Sequence, residues 1–599
     1  MNESELNSGD VSTIEKLTMQ NREATKYDFE QMELSPDTEN AETVLDPELI
    51  SSAENTNLFE YEQTHLNKRY KGFFQAMNPD EIIQWQGSLL SKTLIRLPSS
   101  LEEVALQLFK NLVSYMGDRS SSKNPQLHVI KHTRIAMSSP EEVKDEAYLQ
   151  VIKQITRNPN PNRCMRGWNM FAIMASCYPP SMELYHALIH YLLDIIKTGD
   201  EDLAKRANYI AIRLSKTFES RRKISPSDLE IKHVEGMKPI LITMNFFSGA
   251  ATTCQVESYT TIRELKTIVM RKLSLNISRI PYFSIYEMCY KPDCIEERYL
   301  NEFEKVCDIL SIWQKETETY KKKNINIEFK FYLKLLLYYE YNPEDIDGVT
   351  MTYVQCNFEV IKSRYNLSEQ DIIKLAAIQL FIDYGHLNAD EVKNNLKENI
   401  KHFIPTKKFQ MNSESSWVEK IMYEYNNVNF SSKLEAKNAY LNILKTNELF
   451  QSCQFICTYS SKLNTANNNS ERVPNPSHIP EDCIVAVKPN EIIITDSNRN
   501  KIYSFPLTII ASWGVNSEMF VIVEKKNDKE FSKSYFICNQ PKLFKIIIDS
   551  YTNILVGKNM VEIMTERVET CKLFESLPYT KLKPGESLRT RQSTIYDLE

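Results

Sequence analysis

Apolar positions along the chain change period several times, and each change marks a new kind of element. From about Tyr61 the pattern is helical. Leu101, Val104, Ala105, Leu108, Phe109 and Leu112 recur on one helical face, behind a capping box of Ser100 and Glu103. Ser139 as N-cap, Pro140 and Glu142 set a second start, and Tyr148, Val151, Ile152 and Ile155 carry its buried face. The stretch 145–181 reads as helix, polar Asn/Pro turn, helix and a Pro179-Pro180 stop. Amphipathic helices follow at about 182–197 and 201–218, so residues 59–225 are expected to form an all-α bundle.

After Lys238 the pattern turns to period two. Strands at 240–247 and 253–259 flank a Ser248-Gly249 turn, and Thr261 with Glu264 caps a helix through Leu273. With further strands, 238–335 reads as a ubiquitin-like lobe. Residues 342–446 are helical again: Ser368 caps one helix, with Leu367 and Ile372 at staple positions, and Asn388 with Glu391 starts another. Residues 450–557 hold short strands at 454–459, 484–487, 491–495, 501–505, 509–513, 519–523 and 535–538, closed by a helix at 541–555. That is the plan of a pleckstrin-homology-like barrel. The fold class is thus multidomain α+β.

Charge divides the chain further. Residues 1–58 carry 14 Asp/Glu against 3 Lys/Arg, and residues 59–225 carry 17 against 23. The acidic tail, 1–58, is too poor in apolar residues to offset its ordering entropy and is expected to be disordered, with 14–34 as a weak candidate for a helix formed on a partner. Residues 574–599 are expected to be a flexible tail. The net charge of −7 predicts no bulk affinity for nucleic acid. The 12 Cys form no CxxC pair, as expected for reduced thiols in a cytosolic protein. Only 13 Gly occur, and no P-loop, kinase signature or HCxxxxxR loop is present. No enzyme is therefore expected, and no cofactor or metal. His186 and His190, with Glu183 and Asp194, share a helical face, but Ala187 breaks HExxH and the face reads as solvated.

Particular strings resemble a known family. Tyr115-Met116-Gly117-Asp118, Asp145-Glu146, Gln154, Asn158-Pro159-Asn160, Arg166-Gly167-Trp168 and Pro179-Pro180-Ser181 resemble the MyTH4 domain of unconventional myosin and some kinesin tails. Tyr353-Val354-Gln355, Arg364-Tyr365, Leu367-Ser368-Glu369 and 375–380 resemble the second lobe of a FERM domain. Pro480-Glu481-Asp482-Cys483, Phe505-Pro506-Leu507 and Ser512-Trp513-Gly514 resemble the third lobe of the myosin-tail type, and 226–231 resembles the MyTH4-to-FERM junction. The resemblance spans about 59–557 and implies a MyTH4 bundle followed by ubiquitin-like, acyl-CoA-binding-protein-like and PH/PTB-like lobes. With the motor absent, it reads as a freestanding tandem.

The resemblance implies a non-catalytic cytoskeletal adaptor in the cytoplasm. Its expected partners are microtubules or tubulin, short peptides of cargo, adaptor or motor proteins, and acidic membrane lipids. Alternatives are a structural component of a microtubule array such as a ciliary axoneme, or a membrane-linked scaffold. The candidate microtubule-binding residues are Lys205, Arg206, Arg213, Lys216, Arg221, Arg222 and Lys223, a basic run that would attract acidic tubulin tails. The candidate peptide-binding residues are Ile509, Ala511, Trp513, Phe544 and Ile548, where an extended peptide would add a strand beside the closing helix. Gly167 is expected to allow close helix packing and Trp168 to fill the core.

Overall fold

The structure, a computed structural model, describes residues 45–54, 56–71, 75–219, 221–273, 277–385, 389–460, 479–527, 531–576 and 593–597. The first unit is helical: α1 (Pro47–Ala53), α2 (Leu58–His65), a hairpin of β1 (Tyr70–Lys71) and β2 (Gln75–Ala76), α3 (Pro79–Ile82), α4 (Ser99–Met116), α5 (Pro125–Met137), α6 (Glu141–Ile155), α7 (Pro161–Cys177), α8 (Met182–Thr198), α9 (Glu201–Glu219) and α10 (Asp228–Glu235). One continuous core runs through it from Leu45 to Val234.

Helix α6 is the centre of that core. Every residue from Val143 to Ile155 is buried, the polar ones included. Buried polar groups are costly unless they are hydrogen-bonded, and here several of them hold neighbouring segments in place. Asp145 accepts from the Ser181 amide at 2.7 Å and the Tyr61 hydroxyl at 3.0 Å, joining the starts of α8 and α2. Glu146 accepts from the amides of Leu94 and Ile95 at 2.9 and 2.8 Å. Lys153 donates to the carbonyl of Ile82 at 2.7 Å, and Tyr148 to that of Tyr178 at 2.6 Å. The Asp145-Glu146 dipeptide is thus a fastener for three segments distant in sequence. Gly167 lies where a Cβ would sit 2.4 Å from Ile155 Cγ2 and 2.9 Å from Met116 Cε, so α7 approaches α6 and α4 closely only without a side chain. Trp168 is buried beside it and stacks on Phe171.

The first sheet lobe holds β3 (Ile240–Asn245), β4 (Ala251–Val256), α11 (Ile262–Lys272), β5 (Phe283–Tyr290), β6 (Cys294–Tyr299), α12 (Val306–Lys321) and β7 (Glu328–Leu335). Thr261 and Glu264 form the expected capping box of α11. The helical lobe holds α13 (Ile346–Ile361), α14 (Glu369–Tyr384), α15 (Ala389–Asn399), α16 (Glu414–Tyr425) and α17 (Lys433–Leu444). Ser368 caps α14 as expected, by accepting from the Asp371 amide; Asn388 lies outside the described residues. The third lobe is a sheet of β8 (Cys453–Tyr459), β9 (Asp482–Val487), β10 (Glu491–Thr495), β11 (Lys501–Pro506), β12 (Ile510–Val515), β13 (Met519–Lys525) and β14 (Phe531–Cys538), ordered β11-β10-β9-β8-β14-β13-β12. It is closed by α18 (Pro541–Leu555), followed by α19 (Met560–Ser576) and β15 (Ser593–Asp597).

The three lobes share cores. Ala486 and Ile493 of the third lobe pack into the helical lobe, and Tyr286, Tyr299, Leu336 and Leu337 of the first lobe pack into the barrel. Where the lobes meet, Glu297 pairs with Lys334 at 2.8 Å, and Glu359 accepts from Tyr338 and Tyr365 at 2.8 and 2.7 Å.

Several local expectations differ from the structure. Helix α4 starts at Ser99 without a side-chain cap, so Ser100 and Glu103 are not a capping box. Ser139 does not cap α6; its hydroxyl turns back to the Ile135 carbonyl at 2.8 Å. Helix α5, opened by Asn124 as N-cap and Pro125, was not anticipated. The acidic segment does not stay unfolded up to residue 58: Asp46 caps α1, and Leu45 and Ala53 are buried against the bundle. Residues 14–34 lie outside the described residues. At the other end, α19 packs on α18, and β15 joins the first lobe's sheet where a flexible tail was expected.

Candidate binding surfaces

The basic run at the end of α9 is mostly taken up by structure. Arg213 is buried, ion-pairs with Glu257, and places its guanidinium 3.3 Å from the Tyr209 ring centroid. Arg222 is buried between Glu230 of α10 and Asp308 of α12, the latter at 2.7 Å. Burial opposes its charge, but Glu230 and Asp308 outweigh burial and hold its pKa well above the ordinary arginine value. Asp308 also accepts from the backbone amides of Lys223 and Ile224 at 3.1 and 3.3 Å. Arg213 and Arg222 therefore leave the candidate microtubule surface: they are the ionic joint between the helical unit and the first sheet lobe.

The remaining members are partnered to differing degrees. Arg206 is half-buried and donates to Asn169 Oδ1 at 2.7 Å. Lys205 pairs with Glu201 at 2.6 Å, Lys216 with Glu219 at 3.4 Å, and Arg221 with Glu141 at 3.3 Å. Lys223 is exposed. The face carries as much structural pairing as open charge.

A second basic cluster went unread in the sequence. Arg119, Lys123, Lys131 and Arg134 lie on α5 and the turn before it, and among the described residues none of the four belongs to an ion pair. Lys123, a like-charged neighbour, is the main cause lowering the Lys131 pKa. Inward of them, burial and then Lys131, Lys123 and Arg119 lower the pKa of His128, whose Nε2 meets the Ser121 hydroxyl at 2.8 Å. One turn on, His132 is fully buried. Its Nδ1 donates to the Leu108 carbonyl at 3.1 Å and its Nε2 accepts from the Tyr178 hydroxyl at 3.2 Å, the neutral tautomer. Burial, only partly offset by Leu108, lowers its pKa to about 4. The cluster was missed because its charges are dispersed over folded turns, although Asn124-Pro125 signals the helix that gathers them.

In the third lobe, β12 is the last strand of its sheet, and its outer edge pairs with no strand among the described residues. Ile509 ends a short 3-10 turn, and Ala511 is exposed at a register irregularity. Trp513 is half-buried, with Nε1 donating to Asp549 Oδ1 at 2.6 Å. Phe544 and Ile548 are corrected: both are wholly buried, and Phe544 stacks on Phe520 at a centroid distance of 3.7 Å. Their stripe of α18 faces the barrel interior. The accessible cleft lies one stripe over, about 200 Å³ in volume, where Trp513, Asp549 and Asn553 face Glu566 and Arg567 of α19. Arg567 fastens α19 by donating to the Pro281 carbonyl at 2.7 Å and the Ser550 hydroxyl at 3.1 Å. His190, weighed as a metal ligand, meets the Ala53 carbonyl of α1 at 2.9 Å and Asp194 at 3.4 Å.

Comparison with known proteins agrees with this architecture. Family models match in chain order: the MyTH4 domain over 133–233, the RA like domain over 238–336 and the FERM central domain over 342–455. Myosin-I heavy chain of Dictyostelium discoideum is 23% identical over 439 residues, covering 70% of this chain and 18% of that protein. Kinesin-like protein KIN-14I of Oryza sativa subsp. japonica is 22% identical over 386 residues, covering 61% of this chain and 30% of that one. The chain thus spans less than a third of either relative. Among solved structures, the MyTH4-FERM MF1 domain of Dictyostelium discoideum myosin VII aligns with a TM-score of 0.69 at 19% identity, covering 86% of this chain and 99% of that one. The human myosin 7b C-terminal MyTH4-FERM domain, solved with the harmonin-a PDZ3 domain, aligns with a TM-score of 0.61 at 18% identity, covering 84% and 97%. The chain thus carries a MyTH4 domain and a FERM central domain in that order and has the fold of a MyTH4–FERM tandem, similar to those of myosin tails.

Proposed function

We propose that the protein is a non-catalytic cytoskeletal adaptor of the cytoplasm. The helical unit holds an acidic polymer, microtubules, through the cations around α5, and the third lobe takes a short partner peptide along β12 and the outer stripe of α18. The observation that carries the first half is the gathering of Arg119, Lys123, Lys131 and Arg134 on α5 and the turn before it, where Lys123, as a like charge, lowers the Lys131 pKa. Like charges held together cost free energy that an anionic partner relieves, and the acidic tails of tubulin have that chemistry. A kinesin-like relative supports the same direction. For the second half, the unpaired β12 edge offers main-chain hydrogen bonds, and the Trp513 cleft offers a side-chain anchor.

Cosedimentation with polymerised tubulin tests the reading. The full chain should pellet at low salt and release as salt screens the contact. Reversal of Lys123 and Lys131 to Glu should weaken pelleting by roughly tenfold or more at low salt, while the same change at Lys205 and Lys216 should leave most of it. Equal loss from both pairs would sink the assignment to α5. Pelleting with acidic lipid vesicles but not with microtubules would replace the polymer by a membrane.

A further inference from the structure

The sheet of the first lobe has six strands, in the order β15-β6-β5-β7-β3-β4, and its outermost strand comes from the C-terminal end of the chain. Residues 593–597 lie antiparallel to β6 in unbroken register, with Ser593 opposite Arg298, Ile595 opposite Glu296 and Asp597 opposite Cys294. Without them β6 would be the edge of a five-stranded sheet.

That edge is unusually receptive. Sheet edges exposed to water are commonly blunted by proline, a bulge or outward-reaching charge. Strand β6 contains no proline, and its pairing with β5 runs from Tyr299 to Ile295 without a bulge. Its charged side chains are buried and engaged: Glu296 with Lys291, Glu297 with Lys334 and, at 3.7 Å, with Arg364 of the helical lobe, and Arg298 with Glu287 at 2.8 Å and Glu304 at 3.0 Å. These pairs hold the strand straight and leave its outer face as backbone, which an extended segment of almost any sequence can match.

We propose that the outer edge of β6 is a strand-accepting peptide site, and that residues 593–597 occupy it in cis as the chain's own pseudo-ligand. The covering strand is only five residues long. Because it belongs to the same chain its binding is intramolecular, so a segment that would bind weakly as a free peptide stays in place. It already pairs Cys294 to Arg298, and the Tyr299 amide donates to Gln540 Oε1 at 3.4 Å, so an extended partner segment displaces it by binding the same five positions more tightly. The first lobe is then a recognition site closed by default. This goes beyond the adaptor reading, because neither the α5 cations nor the Trp513 cleft takes part.

The test uses the full chain, a chain ending at residue 592, and the full chain carrying Ile595→Pro, which removes an amide from the strand and prevents regular pairing. Hydrogen exchange is followed across 290–300, and binding of a labelled synthetic peptide of residues 588–599 is titrated. Truncation and Ile595→Pro should each speed exchange in β6 by about tenfold or more while β5 and β7 keep their protection. The peptide should bind the truncated chain at least about tenfold more tightly than the full chain, the cis strand acting as its competitor. Unchanged exchange on truncation, or equal peptide binding by both chains, overturns the site. Protection of β6 that disappears when a dimer is diluted to monomer overturns the cis assignment in favour of a second copy. Microtubule pelleting of the truncated chain reads the adaptor function separately.

Discussion

The two basic regions of the helical unit contain similar residues and serve opposite ends. At the end of α9, Arg213 and Arg222 are enclosed by Glu257, Glu230 and Asp308, and their charge is spent on joining two domains. Around α5, Arg119, Lys123, Lys131 and Arg134 have no such partners among the described residues, and two of them repel each other. Charge density along a chain and charge offered by a surface are separate quantities. The first is read by counting; the second depends on which carboxylates the fold brings close.

The contrast can be broken most sharply at the joint. Arg222→Ala should lower unfolding free energy by about 3–5 kcal/mol, because Glu230 and Asp308 would be left close together with no counter-charge. Urea unfolding measures it, and a loss under about 1 kcal/mol would mean that water readily enters the joint.

Next in size is the anchoring of α5. The folded-state pKa of His132, about 4, lies below its ordinary 6.5, so the unfolded chain takes up a proton before the folded chain does. Its contribution is complete above pH 6.5 and is lost as pH falls toward 4, by at most about 1.4 kcal/mol per pH unit. Unfolding measured across that window should be steeper for the wild type than for His132→Gln, which cannot titrate. Parallel curves would remove His132 as the source.

Reversing Lys123 and Lys131 to Glu should change stability by less than about 0.5 kcal/mol, as is usual for surface positions. It should weaken binding to an acidic polymer by roughly tenfold or more at low ionic strength, a gap that closes as salt rises. Pelleting and thermal melts on the same preparations separate the two effects. Smallest of all, Lys205→Ala should alter neither the melting temperature nor pelleting measurably, since its exposed partner Glu201 remains fully hydrated.

Much of the fold was legible. Short-range signals survive into the structure: the Thr261/Glu264 capping box, the Ser368 cap, and the helix at Pro541–Leu555. What failed depended on distant partners. Arg222 meets Asp308 across 86 residues, and no local pattern announces that pair. Phe544 and Ile548 lie on a helix read correctly, but periodicity does not say which stripe faces the barrel. Helix α6 inverts the usual rule: it is buried all round despite its many polar residues, because neighbouring segments bring backbone donors and acceptors to them. The N-terminal acidic stretch misled by its average composition, since Leu45 and Ala53 dock while the charges around α1 face water. Strand β15 does carry β-formers in Thr594, Ile595 and Tyr596, but at five residues it is too short to reveal the distant edge it meets.

The ionic joint at Arg222 has a mechanical consequence. A load applied at α5 and resisted at the third lobe must pass between the helical unit and the first sheet lobe, where Arg222 grips Glu230 and Asp308 and Arg213 grips Glu257. Pulling those charges apart in a water-poor setting raises the energy steeply over the first ångström, as a stiff coupling does and a slack tether does not. The tandem would behave under tension as a strut, passing both the direction and the size of a pull from one end to the other with little stretch between.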